Sequence, residues 1–261
     1  MTGGGLARQW APPALLMAGL LAAWEAGCRL LRVPAFILPP PSAVAAALWE
    51  MREPLFRVHL PVTALEVAVG FVASGVVGVA LAAAMRLSPH LARALYPLVV
   101  ASQTIPVIAI SPVFLLWFGY TLTQKVAVTV LISFFTVTVN TYDGLRSADP
   151  DLVDLLRAAG ATRWQIFTRA EVPSALPLFF SGLKVAAAVS VIGATIGEWL
   201  GGEAGLGVFG RRMVSSLRAA PLFASVFLLS LLGIGFFLLI AWVERWAIPW
   251  HFREVQGRRS A

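Results

Sequence analysis

Along the chain, stretches free of Asp, Glu, Lys and Arg alternate with short polar segments, and the longest apolar runs cover residues 67–85, 94–124, 126–142 and 219–243. About 20 apolar residues cross the hydrocarbon core of a bilayer as a helix, so each run predicts a transmembrane span. Two further runs complete the set: residues 9–24, continuing past Glu25 to Leu31, and residues 172–197, interrupted only by Lys184. The pattern predicts an all-α polytopic membrane protein of about six spans, organised as a single transmembrane domain over residues 1–261.

The segments between and within the runs add detail. Pro39, Pro40 and Pro41 exclude helix after the first span, and the apolar residues at helical spacing over 43–51 predict a short amphipathic helix outside the membrane core. The second span, residues 60–85, carries Gly70, Ser74, Gly75 and Gly78, small residues that let helix backbones approach closely, which places it inside the bundle. Pro97, Pro106 and Pro112 each remove a backbone donor from the third span, which predicts a broken or kinked helix.

The longest polar connection, residues 141–172, predicts two short helices. Asp149 is an N-cap followed by Pro150 at the first helical position, and Leu152, Val153, Leu155, Leu156 and Ala159 form an apolar stripe that stops at Gly160. Thr162 and Gln165 fit a capping box, opening a second turn that exposes Arg163, Trp164, Phe167 and Arg169 before Pro173 ends it. Such a pair, projecting from the membrane, suits a surface that receives force from a soluble partner, and equally an ordinary amphipathic connector.

Composition agrees with the pattern: 59% of residues are hydrophobic, mean hydropathy is +0.82, and 13% are charged, against about 25% in a soluble domain. The net charge of +7 comes from basic residues standing singly between apolar runs, with no basic stripe for nucleic acid. With both termini in the cytoplasm, 11 basic residues lie inside and 8 outside, the bias of the positive-inside rule, and residues 141–172 become cytoplasmic. A lone cysteine, Cys28, excludes an internal disulfide, and Glu25 stands where a lipoprotein cleavage site wants an aliphatic residue, so the first run reads as an uncleaved helix. His59, His90 and His251 fall at span edges without metal-ligand spacing and read as isolated surface or interface histidines; Trp10, Trp242, Trp246 and Trp250 read as interfacial belt residues. No Gly-x-x-x-x-Gly-Lys-Ser/Thr loop is present, so the chain has no phosphate loop with which to bind ATP.

Lys184 lies near mid-bilayer, where a charge costs roughly 2.5–3.5 kcal/mol on insertion scales, so it must face protein or water, as an ion-pair anchor or as a substrate contact. Glu198 lies ~21 Å further along the same helix, too far to neutralise it, and reads as a gate or loop anchor. Gln103, Thr104 and Ser111, set around Pro106, either line a polar path or bond their own helix backbone.

The stretch Asp154-Leu-Leu-Arg-Ala-Ala-Gly160-Ala-Thr-Arg-Trp-Gln-Ile-Phe, with Val172-Pro-Ser-Ala-Leu-Pro177, resembles the coupling loop of binding-protein-dependent ABC transporter permeases. Asp154, Leu155 and Leu156 stand where that family usually has Glu-Ala-Ala, while Gly160 and Leu176-Pro177 are in place. The likeness extends over nearly the whole chain through Leu38-Pro-Pro-Pro-Ser42, Thr63 with Gly70-Phe71, Gln103-Thr-Ile-Pro106, Trp117-Phe-Gly119, and Gly197-Glu198 with Gly205-Leu-Gly207.

The resemblance implies a type I ABC importer permease fold of the cell inner membrane, with a cytoplasmic coupling loop at residues 149–172. It implies that Asp154, Leu155, Leu156, Ala159, Gly160, Ala161, Arg163, Trp164 and Phe167 meet an ATPase subunit. ATP and Mg²⁺ would be bound by that ATPase, with no cofactor on this chain. A second permease chain, by default identical, and an extracytoplasmic solute-binding protein would complete the importer. The likeness is to the nitrate, sulfonate and taurine branch. Val139-Asn-Thr, Gly144-Leu-Arg-Ser-Ala-Asp-Pro150 and Glu244-Arg-Trp-Ala-Ile-Pro-Trp-His251 narrow it toward permeases for thiamine pyrimidine precursors or riboflavin. A secondary carrier is the rival, but no internal repeat is apparent and intramembrane acids are few beyond Glu66 and Glu198. An intramembrane enzyme would need a nucleophile and base converging at one depth, and none do.

Overall fold

The computed structural model describes residues 4–250, with side chains from residue 11 onward, and among them the chain is helical apart from short connections. In order the helices are α1 (Gly4–Leu30), α2 (Pro41–Glu50), α3 (Leu60–Leu87), α4 (Pro89–Ser102), α5 (Val107–Phe118), α6 (Leu122–Arg146), α7 (Pro150–Ala158), α8 (Arg163–Ile166), α9 (Val172–Leu200), α10 (Leu206–Ser215) and α11 (Ala219–Ala247). Two π-helical turns, Pro54–His59 and Phe167–Glu171, lead into α3 and α9.

Five helical stretches among the described residues are long and apolar enough to cross a bilayer: Ala11–Leu30, Pro54–Leu87, Leu122–Arg146, Arg163–Leu200 and Ala219–Ala247. Helices α4 and α5 are long and apolar enough only when taken together, as a pair bent by 102° that is a broken sixth span or a re-entrant loop. The break falls at Gln103–Pro106, where Pro106 is extended, whereas Pro97 and Pro112 sit inside their helices.

Helices α3, α6 and α9 form the centre, and α6 and α9 make the most extensive contact in the fold. Small residues decide the approach. A Cβ on Gly70 of α3 would lie 2.5 Å from the Thr129 methyl, and one on Gly193 of α9 would lie 2.6 Å from the Thr129 backbone, so both helices close on one residue of α6. Around this centre, α1 leaves Leu15, Leu16 and Leu20 exposed.

Two expectations are corrected here. Pro173 does not end the second short helix: α8 runs through the π turn directly into α9, and Pro173 occupies the first turn of that long helix, where a missing N–H is tolerated. Helix α10 was not anticipated, being too short and too polar to register as a span. Its Leu206 and Phe209 pack with Ala47 of α2, Leu55, and Ala224 and Leu228 of α11 into a cluster at the end of the bundle opposite α7.

Candidate functional site

Two polar assemblies stand at opposite ends of the continuous Arg163–Leu200 helix. At one end, α7 begins where the Asp149 carboxylate accepts the Asp151 N–H at 2.9 Å. It stops at Gly160, whose φ of +81° is the left-handed conformation glycine adopts at least cost. The chain restarts at a reciprocal capping box: Gln165 N–H donates to Thr162 Oγ1 at 3.3 Å, and Thr162 N–H donates to Gln165 Oε1 at 2.8 Å.

Val153 packs with Ile166 and Ala170, and Leu156 and Ala161 close over that cluster half-buried. The rest of the stripe stays outside. Leu155 is 66% exposed and Trp164 62%, with Leu152, Ala159, Gly160 and Arg163 also exposed and Asp154 held at the surface by Arg157 at 2.7 Å. Phe167, expected outside, is buried against Ala82, Leu145 and Ala175, because the helix continues into the bundle and carries it inward. The Trp164 ring stacks on Phe167 at 5.5 Å, which orients the exposed indole.

Beneath this face lies a pair that sequence reading missed. Arg86, at the end of α3, grips Glu171 in the π turn with two guanidinium hydrogen bonds, one at 2.9 Å, tying α3 to the base of α9. Their separation of 85 residues leaves no local signal. A cavity of about 420 Å³ lies here, lined by Arg86, Arg157, Ala161, Arg163, Ile166 and Glu171 among others.

At the other end, Glu198 is 0% exposed and its carboxylate is fully engaged. Thr63 donates to Oε1 at 2.6 Å, and the N–H groups of Gly207 and Val208, in the first turn of α10, donate to Oε2 at 2.5 and 3.3 Å. Thr63 Oγ1 also accepts the Leu206 N–H at 2.8 Å, and His59 Nδ1 accepts the Gly205 N–H at 3.1 Å. His59 is thus no surface residue: it is buried, facing the Phe209 ring at 5.2 Å. His90 is exposed, and His251 lies outside the described residues. Lys125, counted among the outside charges, is buried and paired with Glu66 of α3; Glu66 Oε2 has no hydrogen-bond partner among the described residues.

The remaining polar residues do not converge. Gln103, Thr104 and Pro106 are exposed at the α4–α5 break, where Thr104 donates to the Ala101 carbonyl at 2.7 Å. Ser111 is buried and donates to Ile108 at 3.0 Å. Lys184 pairs with Glu244 of α11 at 2.7 Å, a partner 60 residues away in sequence, and Glu198 belongs to the separate α10 network. Trp242, Trp246 and Trp250 are exposed, and the side chain of Trp10 lies outside the described residues. Among the described residues no three His, Cys, Asp or Glu side chains are grouped to hold a metal.

Residues 74–248 match the family described as the binding-protein-dependent transport system inner membrane component. The formylaminopyrimidine transport permease protein ThiX of Halalkalibacterium halodurans is 45% identical over 242 residues, 93% of this chain and 96% of that protein. The riboflavin transport system permease protein RibX of Chloroflexus aurantiacus is 35% identical over 233 residues, 88% and 87% of the two chains. The inward-facing MetNI methionine ABC transporter has a chain of similar fold, with a TM-score of 0.55 over 75% of this chain and 97% of that one at 21% identity.

Proposed function

The chain belongs to the binding-protein-dependent transport system inner membrane components and is a permease subunit of an ABC importer, and from that premise we propose that it carries a formylaminopyrimidine, the pyrimidine precursor class of thiamine, across the membrane. The observation that carries the substrate is the 45% identity to ThiX over nearly the full length of both chains. Riboflavin is the second reading, supported by the 35% identity to RibX.

The α7–α8 end faces the cytoplasm in this reading, with both termini on that side. Leu155, Trp164 and their exposed neighbours dock on an ATPase subunit, because side chains so apolar and so exposed need a partner to leave water. ATP and Mg²⁺ bind to that ATPase, and its motion enters the bundle through α8 and the Arg86–Glu171 pair. A second copy of the chain completes the path, and a solute-binding protein delivers ligand at the α10 end.

The test is uptake by the whole importer. Purified with its co-encoded ATPase and binding protein and placed in liposomes, it is expected to accumulate radiolabelled formylaminopyrimidine only when ATP is present on the ATPase side. ATP-driven accumulation of riboflavin or taurine, with formylaminopyrimidine neither carried nor competing, would overturn the substrate.

A further inference from the structure

We propose that Glu198 is a positioning residue, a latch through which α9 holds α10 down at the outer end of the bundle and releases it when α9 moves. This rests on the ATP-driven reading above, and it assigns to one residue the step by which motion at the ATPase end reaches the outer mouth.

The latch is built from bonds that no other side chain at this position reproduces. Both carboxylate oxygens are occupied, one by the Thr63 hydroxyl of α3 and the other by two N–H groups of α10, so one buried charge joins three helices. Charge-assisted bonds in a dry site are stronger than neutral ones, and the aligned peptides of α10 favour an anion at that end. The glycines around it follow from the same need. A Cβ on Gly205, whose φ is +127°, would lie 2.3 Å from the Glu198 carboxyl carbon, and one on Gly207 would lie 2.8 Å from Oε2. The carboxylate therefore reaches bare backbone, and the Gly197-Glu198 and Gly205-Leu-Gly207 motifs are two halves of one contact.

The position of α10 gives the latch a consequence. Gly201, Gly202, Glu203 and Arg211, on the segment that Glu198 fastens, form one wall of a cavity of about 650 Å³ whose other wall includes Tyr120 and Lys125. The first turns of α10, with Leu206, Val208 and Phe209 all buried, are covered only while α10 is down. Glu198 itself sits near the far end of the Arg163–Leu200 helix, which runs 38 residues from the exposed α8 turn. At 1.5 Å per residue that is a rod of ~57 Å, so a tilt imposed at α8 displaces the carboxylate against its partners on α3.

The experiment reads the burial of α10 directly. In the full importer, with Cys28→Ser to remove the native thiol, Val208→Cys places a near-isosteric reporter at a buried position. Labelling by a membrane-impermeant maleimide is timed without nucleotide and in the ATP–vanadate state. With Glu198 present, labelling is expected to be slow without nucleotide and to change on trapping. With Glu198→Gln, which removes the charge and leaves one acceptor oxygen for three donors, nucleotide-free labelling is expected to rise about tenfold and lose its response to trapping, while the subunits still co-purify. Equal rates and equal nucleotide response with and without Glu198→Gln would overturn the latch. If that variant does not assemble, Thr63→Val decides, since it removes the hydroxyl that bridges Glu198 to the Leu206 N–H of α10 and leaves the Gly207 and Val208 bonds: faster labelling supports the latch and an unchanged rate rejects it. A Glu198 background that never responds to ATP–vanadate would instead reject the ATP-driven reading, a failure separable from the nucleotide-free comparison.

Discussion

The two ends of the Arg163–Leu200 helix solve opposite problems. At the α10 end, charges are buried and provided for: Glu198 uses both oxygens, Lys125 meets Glu66, and His59 accepts a backbone N–H. At the α7 end, the backbone is provided for by a cap, a left-handed glycine and a capping box, yet Leu155 and Trp164 stay exposed. A buried, paired charge is part of the architecture, because leaving it unpaired is costly. An exposed aromatic and leucine on a well-capped helix are unfinished without a second surface. The first end should therefore respond to mutation in stability and the second in association.

The largest effect expected is at the buried pair. Lys125→Ala leaves the buried Glu66 carboxyl without its partner, and is expected to lose about 3–5 kcal/mol of stability, read as a large fall in the thermal midpoint in detergent. Lys125→Met combined with Glu66→Leu should recover most of that loss, and a double variant as unstable as the single would break the ion-pair account. Next, Leu155→Ser with Trp164→Ser should leave the midpoint in place and weaken ATPase association by about 30-fold or more, the scale of an interface anchor. Unchanged affinity measured by titration of the purified ATPase would place the docking surface elsewhere.

Smaller effects sharpen the contrast within the α7 end. Gly160→Val meets open space but an unfavourable φ, so it should strain the turn by about 1–2 kcal/mol and lower uptake without reducing membrane insertion. Normal uptake by that variant would remove Gly160 from the transmission path. Thr162→Ala deletes the cap, and is expected to cost about 1 kcal/mol, seen as faster amide exchange confined to residues 162–166. Unchanged exchange there would show the cap to be redundant with the packing of Ile166.

Most of the fold was legible because its determinants are local. Apolar run length marked the spans, the three prolines of the third span marked a break or kink without saying which of them makes it, and Asp149, Gly160, Thr162 and Gln165 marked the capped segment, each through chemistry within a few residues. Phe167 was misjudged because Pro173 suggested a stop, whereas the π turn carries the helix past it. The partners of Lys125, Lys184 and Arg86 lie 59, 60 and 85 residues away, and no periodicity reports such pairings. His59 was read as isolated for the same reason, its partner Gly205 lying 146 residues on. Glu198 was read as a gate or loop anchor from its place near the end of a span, and the α10 amides that bind it were invisible because α10 itself left no hydrophobic signal.

The exposed α7–α8 face is the proposed entry point of ATP-derived force into the chain. The most direct measurement is to tag the chain, extract it from its native membrane in mild detergent and identify what accompanies it, with and without Leu155→Ser and Trp164→Ser. An ATPase that co-purifies with the unaltered chain and is lost from the variant is the result expected. No ATPase with either, together with uptake driven by a proton or sodium gradient in ATP-free vesicles, would contradict it.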